Sequence, residues 1–435
     1  MENKDIIMAE RVAAEVGKAG GRTFYVGGFV RDRLLGKENK DVDIEIHGIP
    51  VPELKTILDR LGERMEIGES FGVMGLRHYS LDIALPRSET TTGRGHKDFE
   101  VFTDPFLGPE KAAMRRDFTM NALMQDVLTG EILDFFGGRE DLTAKRIRHV
   151  NDQTFQEDPL RVFRAAQFAA RFGFTVAEET VTLASSMDVS FLPAERIMGE
   201  LEKAMHKARR PAVFFEVLRQ MHQLGDWFPA MDALSDRSFA DAMTLLNETA
   251  RRAESAREPL WLLLSAMCRG CLNGDDPAKS THTILSYVTN EVKLLRYAEN
   301  ICAMLEPVRQ AAMEKDELTL ITLYDRCLCP EDLLLLSDAC AAAHGKPDAI
   351  LSGTLKEALA LYRERTAAPG VMGRDLLEVG ARPDAAFTQA LACAHALQLA
   401  GEPREIQLGK ALAVLGAARK EAVVGSDGRR HKHKT

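Results

Sequence analysis

Apolar and polar positions along this 435-residue chain follow two regimes. In the first third the apolar runs are short and end at turn residues, as half-buried strands do. "RTFYVGGFVRD" reads as a strand, a tight turn and a helix, and "DVDIEIHGI" alternates as a strand that stops at Gly48. "VPELKTILDRLG" has helical spacing, and "FGVMGLRHYSLDIALPR" reads as two strands. "SETTTGRGHKDFEV" reads as a polar, glycine-bearing loop, "GPEKAAMRRDFTMNALMQDV" as a helix, and "GEILDFFGGREDL" as a short strand and a turn. From about residue 155 the strand signal disappears. "EDPLRVFRAAQFAARFGF" is an amphipathic helix stopped at Gly173. "AERIMGELEKAMH", "AVFFEVLRQMHQLG", "PLWLLLSAMCRG", "VTNEVKLLRYAENICAMLEPVRQ" and "DAAFTQALACAHALQLAGE" continue the helical pattern with no fixed-period repeat. The pattern predicts an α+β unit with a small sheet, then an all-α remainder.

Length alone asks for two or more domains. Lys and Arg number 56 against 65 Asp and Glu, a net charge of -9, which excludes a uniformly basic nucleic-acid binder. Basic residues are local: "MRRD" at 114–117, "AKRIRHV" at 144–150, the arginines from Arg161 to Arg171, and "KARR" at 207–210. Each by itself is an ordinary solvated face. No apolar stretch is long and uncharged enough to span a bilayer, and "MENKDIIMAERVAAEV" reads as an amphipathic helix without a signal-peptide core, so a cytoplasmic location is expected. The seven cysteines lie between Cys268 and Cys393; their apolar, helix-like surroundings predict buried reduced thiols rather than a zinc site. The carboxyl end, "GSDGRRHKHKT", reads as a basic disordered tail over 426–435.

The chemistry concentrates at "GGFVRDRLLGKENKDVDIEIHG". Side chains two apart on a strand share a face, so Asp41 and Asp43 project together. Two such carboxylates repel unless water or a divalent cation lies between them, and a site with few protein oxygens suits Mg²⁺ with substrate phosphates completing its shell. Gly27 and Gly28 let backbone approach a phosphate, and the following helix start and Arg31 add positive character. Asp82, in "YSLDIALPR", is a third carboxylate on a strand able to pair nearby. Together these point to two-metal nucleotidyl transfer.

The same stretch resembles the signature of the bacterial and eukaryotic tRNA nucleotidyltransferase/poly(A) polymerase family, the class II CCA-adding enzymes of the polymerase-β superfamily. "LPRSETTTGRGHKDFEV", "MRRDFTMNALMQDVLTGEILDFFGGREDL", "RIRHV" and "FQEDPLRVFRAAQFAARFGF" follow in the family's order, so the resemblance is continuous over about 22–175. "FFEVLRQMHQLGDWFPAMD" and "GRDLLEVGARPD" resemble family elements more weakly. The resemblance implies a polymerase-β-like nucleotidyltransferase head at 1–145, a helical neck at 146–215 for base recognition, and a helical body and tail at 216–425 that bind tRNA. It implies CTP and ATP as substrates, Mg²⁺ as cofactor, Asp41 and Asp43 as metal ligands, and Asp82 as a further catalytic carboxylate. Arg116 is assigned to nucleotide binding, with Asp117 and Asn121 bracing the site or touching the sugar. Arg87 and the loop that follows, with Gly93 and Gly95, match a segment associated with the switch from C to A addition.

Asp158 and Arg161, three apart and so expected on one helix face, combine an acceptor with donors. That pair suits the amino group and ring nitrogen shared by cytosine and adenine and rejects uracil and guanine; Arg164, one turn on, would also contact the nucleotide. Gln167 stands where the family usually has another arginine, which lowers the positive charge available to a triphosphate. Some family members carry a metal-dependent phosphohydrolase site built on a His-Asp pair. This chain has no His-Asp dipeptide, and Ser265 and Ala266 stand in the comparable segment, so no hydrolase activity is expected. The expected activity is template-independent addition of C, C and A to the tRNA 3′ end with release of pyrophosphate. Addition of CC only, A only or poly(A) by a relative of the same family is the near alternative, and a non-catalytic RNA-binding relative the distant one.

Overall fold

The computed structural model describes residues 4–39, 41–66, 73–91, 99–272, 276–345 and 348–416. It divides into two compact units, Met1–Leu234 with Tyr287–Thr289, and Ser235–Ser286 with Asn290–Thr435. The first contains a seven-stranded sheet; the second is helical.

In the first unit, helix α1 (Lys4–Lys18) leads into β1 (Arg22–Val26), α2 (Gly28–Leu34), β2 (Val42–His47) and α3 (Val51–Leu61). The sheet is completed by β3 (Arg64–Glu66), β4 (Val73–Leu76) and β5 (Leu81–Ala84) on one side. A separate hairpin, β6 (Arg87–Thr91) and β7 (Phe99–Thr103), and helix α4 (Pro109–Met114) precede β8 (Met124–Asp126) and β9 (Ile132–Leu133). Strand order is β3-β4-β5-β2-β1-β8-β9. Strands β2 and β5 run parallel with Asp43 directly opposite Asp82, so both carboxylates leave the same face. Strand β2 is apolar on one face (Val42, Ile44, Ile46) and carries Asp43, Glu45 and His47 on the other, and all but Asp43 are buried. Helix α1 packs on β1, β2 and α3. Phe24 and Val26 pack with Ala113, Ala122 and Met124, and Phe24 is registered with Glu45. That places α4 and the turn after it on the face of the sheet that bears the acids.

The expected strands and helices are present, with some differences. The stretch 109–128 is not one helix. It is α4, a turn through Arg115–Asp117, a 3-10 turn at Thr119–Asn121 and strand β8. The break is local competition: Asp117 Oδ1 accepts the Phe118 amide, and the Thr119 amide donates to the Arg148 carbonyl. The stretch 88–101 is not all loop, because its Thr, Phe and Val residues pair as β6 and β7; Gly93 and Gly95 lie outside the described residues. Strand pairing also recurs after 155, where Thr175–Val176 pairs in parallel with Arg146–Ile147. The expected helix over 157–174 is interrupted: α6 follows α5 (Gly138–Thr143) at Asp152–Glu157, and α7 begins at Leu160 and runs to Phe172. Pro159 forces the preceding Asp158 into an extended conformation, φ -125° and ψ 94°. Gly173 ends α7 in the left-handed region, as the sequence predicts.

Helix α7 is flanked by α8 (Glu178–Ser185), α9 (Ala194–Lys207) and α10 (Ala212–Gln220); it packs on α9 and α10, on the latter through an aromatic set including Phe163, Phe214 and Phe215. In the second unit six of the seven cysteines are buried among apolar helix contacts, and burial pushes all six thiols above the ordinary range. Asp332, wholly buried there, accepts the Arg257 and Glu258 amides and the Tyr297 hydroxyl. The expected basic tail at 426–435 lies outside the described residues. Among the described residues no helix is long and apolar enough to cross a membrane.

Gly138 opens α5 against the turn that carries Asn121. A Cβ there would stand 2.3 Å from the Thr119 carbonyl oxygen. Gly138→Ala is expected to destabilise the chain by about 1–3 kcal/mol through overpacking. Urea unfolding of the variant measures this, and an unchanged midpoint would show that the 119–121 turn yields freely.

Candidate active site

One polar cavity of about 480 Å³ lies in the first unit, where α2, the turn after α4, α7 and α9 converge. It is lined by Gly27, Gly28, Arg31, Asp43, Arg87, Arg115, Arg116, Asp117, Asn121, Asp158, Arg161, Arg164, Gln167, Phe168, Arg171, Lys203 and Lys207. Ten of the twelve residues singled out in the sequence line it. Asp41 and Asp82 are exposed and outside the lining, yet both act electrostatically on Asp43.

The glycine turn is shaped by geometry. Gly27 has φ +64°, and a Cβ there would lie 3.0 Å from Arg116 Nη1. The left-handed backbone conformation favours glycine here, and a side chain would press on the tip of Arg116. Asp41 stands one residue before β2, its amide donating to Asn39 Oδ1. Burial raises the Asp43 carboxyl from its ordinary 3.8 to about 6; Asp82 and Asp41 push the same way, and Arg116 opposes them. Asp43 is thus an under-compensated acid beside two others.

Arg31 is buried rather than free. It donates through Nε and Nη2 to Asp32 Oδ1 at 2.8 and 2.7 Å, and through Nη1 to Asn121 Oδ1 at 2.6 Å, with its guanidinium over Phe172. Asn121 Nδ2 in turn donates to Asp117 Oδ1 at 2.9 Å. Arg164 donates twice to Asp117 Oδ2, at 2.8 and 2.6 Å. Burial alone would raise Asp117, but Arg164 and Asn121 outweigh it and hold the carboxyl below its ordinary value. Asp117 and Asn121 therefore brace the wall.

Asp158 is not on the helix with Arg161, for the Pro159 reason given above. Its Oδ1 accepts the Leu160 amide at 3.2 Å, and Oδ2 accepts from Arg196 at 3.3 Å. Arg161 donates to the Thr154 and Arg115 carbonyls, which leaves three of its five N–H groups for a ligand. The two side chains still share the cavity wall. Sequence reasoning missed Glu45, which continues the Asp41, Asp43 spacing on the same face. It is 4% exposed and pairs with His47 Nε2 at 2.9 Å and Arg116 Nη2 at 3.3 Å. It also missed Asp32 and Lys203, and it read Arg171 and Lys207 only as members of basic patches; the three cations reach the cavity through helix packing.

Among the described residues no three His, Cys, Asp or Glu side chains form a complete metal-ligand set. The donors at hand are carboxylate oxygens around an acid that resists ionisation, which fits a hard cation taking its remaining ligands from substrate and water.

A glycine turn, strand carboxylates and a cation-lined cavity beside a base-sized acceptor and donor define the class of nucleotidyl-transfer heads. The poly(A) polymerase head domain family matches residues 23–148. A Multifunctional CCA protein of Haemophilus ducreyi is 36% identical over 264 residues, 56% of this chain and 62% of that protein. One of Shewanella denitrificans is 41% identical over 220 residues, 49% and 51% of the two chains. This chain thus spans about half to three-fifths of the length of these curated relatives. Thermotoga maritima CCA-adding enzyme complexed with tRNA_CCA shares the fold, with TM-score 0.70, 21% identity and coverage of 95% of this chain and 96% of that one. A CCA-adding enzyme in complex with ATP gives TM-score 0.72 at 20% identity, covering 97% and 95%. Residues 23–148 are thus similar to the poly(A) polymerase head domain family, and the chain shares the fold of solved CCA-adding enzymes.

Because Asp43 is raised, the folded chain binds its proton more tightly than the unfolded chain does. The stability this provides is full below about pH 4 and is lost as pH rises through about 6. In metal-free protein, Asp43→Asn is expected to stabilise the chain by on the order of 1–3 kcal/mol at pH 8, with no gain near pH 4. Urea titrations at the two pH values check it; an equal effect at both would mean that Asp43 is not under-compensated.

Proposed function

We propose that the chain adds C, C and A to the 3′ end of tRNA, using CTP and ATP and releasing pyrophosphate, without a nucleic-acid template, in the cytoplasm. The observation that carries the reading is that one cavity gathers the Gly27–Gly28 turn, Asp43, Arg116 and the Asp158/Arg161 pair. The catalytic end and the base-reading end of a nucleotide are thereby served by a single wall. Relatives named as CCA proteins, and solved CCA-adding enzymes in complex with ATP, with CTP and with tRNA, support the same reading.

In this reading Asp41 and Asp43 hold Mg²⁺ with Asp82 as the further carboxylate; the ion, when bound, activates the RNA 3′ hydroxyl and neutralises the triphosphate. The chain's own groups do the rest. Gly27 and Gly28 admit the phosphates, Arg31, Arg116 and Arg164 supply positive field, and Asp117 with Asn121 fixes the wall. Asp158 accepts from the amino group of C or A while Arg161 donates to the ring nitrogen. Residues 1–145 form the catalytic head, 146–215 the base-reading neck, and 216–425 the tRNA-binding body and tail.

The decisive measurement supplies CTP and ATP, separately and together, to tRNA transcripts ending before CCA, after C and after CC. Completion of CCA followed by a stop is expected, with Asp43→Ala losing several orders of magnitude in rate. An A ladder, or no use of CTP on any transcript, would move the chain to the A-adding or poly(A) activity. No transfer at all would leave RNA binding alone.

Asp158→Ala, with Arg161 kept, is expected to damage selection more than triphosphate affinity. A bidentate base contact is worth about 1–3 kcal/mol against the wrong base, so UTP and GTP incorporation should rise roughly tenfold or more relative to CTP. An equal fall for all four nucleotides would show that this wall does not read the base.

A further inference from the structure

We propose that Glu45 is a positioning residue that holds the Arg116 guanidinium against the phosphates of the incoming nucleotide; this rests on the nucleotide reading above. Glu45 leaves β2 on the same face as Asp43, two residues on, but it does not line the cavity. Both its oxygens are engaged, Oε2 by Arg116 Nη2 at 3.3 Å and Oε1 by His47 Nε2 at 2.9 Å. It is therefore not a further cation ligand. Arg116 also lies close to the Gly27 turn, where a Cβ would stand 3.0 Å from Nη1. The guanidinium is held between a buried carboxylate and the turn through which phosphates would enter, and it lines the cavity itself.

A long, flexible cation loses much rotamer freedom when it is fixed, and the cost falls on ligand binding unless the protein bears it in advance. Glu45 does so. Freed from Glu45, Arg116 could turn to Asp43 in the same cavity, which would weaken the phosphate site and occupy a carboxylate at once. An aliphatic residue at position 45 would continue the strand equally well, so the buried charge is explained by its partner rather than by the sheet.

The test is calorimetric binding of CTP and of CMP to the full chain in four forms: wild type, Glu45→Gln, Arg116→Gln and the double variant. Gln keeps the shape of Glu45 and removes its charge. CTP binding is expected to weaken roughly tenfold in each single variant, with the double variant no weaker than Arg116→Gln. CMP, lacking the β- and γ-phosphates, should bind all four alike. An equal loss for CMP and CTP, or a Glu45 effect that persists in the Arg116→Gln background, would make Glu45 a structural residue and overturn the inference. So would unchanged CTP binding by Glu45→Gln. If Glu45→Gln does not fold, Glu45→Asp, which keeps the charge but draws it back, must give the same CTP-only loss. A wild-type chain that binds no CTP would overturn the nucleotide reading itself, and this inference with it.

Discussion

The wall of the cavity depends on one buried chain of hydrogen bonds, Asp32–Arg31–Asn121–Asp117–Arg164. It joins helix α2, the 3-10 turn and helix α7, three segments far apart in sequence. The Arg31 guanidinium and the Asp32 and Asp117 carboxylates leave water together, Arg164 closes the chain from a half-buried position, and each acid finds donors that offset its desolvation. Such a network is stable only when complete, because a missing member strands a charge in a low-dielectric interior. The aromatic faces of Phe168 and Phe172 against Arg31, and of Phe168 against Arg164, supply the rest of the enclosure. Helix α7 is thus tied to the sheet by polar geometry, not by apolar contact alone, and this carries the register of Asp158 and Arg161 relative to Asp43.

That constraint explains how an acidic chain builds a site for a polyanion. The whole sequence has net charge -9, but the cavity is lined by nine Arg and Lys residues against three Asp. Several of these cations are spent on structure: Arg31 on Asp32 and Asn121, Arg164 on Asp117, Arg161 on two carbonyls. Their charge nevertheless remains in the cavity, because an ion pair to one acid cancels a field only partly. Acidity elsewhere on the surface, with cations gathered in a concave low-dielectric site, focuses the field where a triphosphate would enter.

What the sequence made legible was local chemistry. The glycine turn, the strand acids and the stop at Gly173 follow from residues within a few positions of one another, and they stand where expected. The errors came where neighbours in space decide. The Arg115–Asp117 turn looked helical because Met, Ala and Arg favour helix, but Asp117 captures the next amide and becomes the buried acceptor for Arg164. Asp158 and Arg161 looked like one helix face because spacing alone suggested it; the proline between them was the signal that the backbone breaks. Glu45 was visible as the third member of an alternating acidic run, and reading that run one position pair further would have found it. Lys203 was not visible and Lys207 read only as part of a basic patch, since only the packing of α9 on α7 turns an ordinary solvated helix face into a cavity wall.

Gln167 bears on both the buried network and the charge of the cavity. It stands on α7 one turn beyond Arg164, is 1% exposed, and has an unpartnered Nε2 at the cavity wall. A guanidinium at the same place would be a further cation on α7, more deeply buried than Arg161 or Arg164, beside an acid set already matched by Arg31 and Arg164. Its desolvation would have to be met by a new carboxylate or by a bound anion. The neutral amide avoids that cost and keeps a donor at the wall, while Arg171, Lys203 and Lys207 supply charge from positions that water still reaches. With Gln167 neutral, the positive charge that α7 and α9 bring to the cavity lies at its solvated rim rather than on its buried floor. There it is screened by salt as a buried guanidinium would not be, so the strength with which this cavity holds a polyanion follows ionic strength more steeply than the buried network alone would dictate.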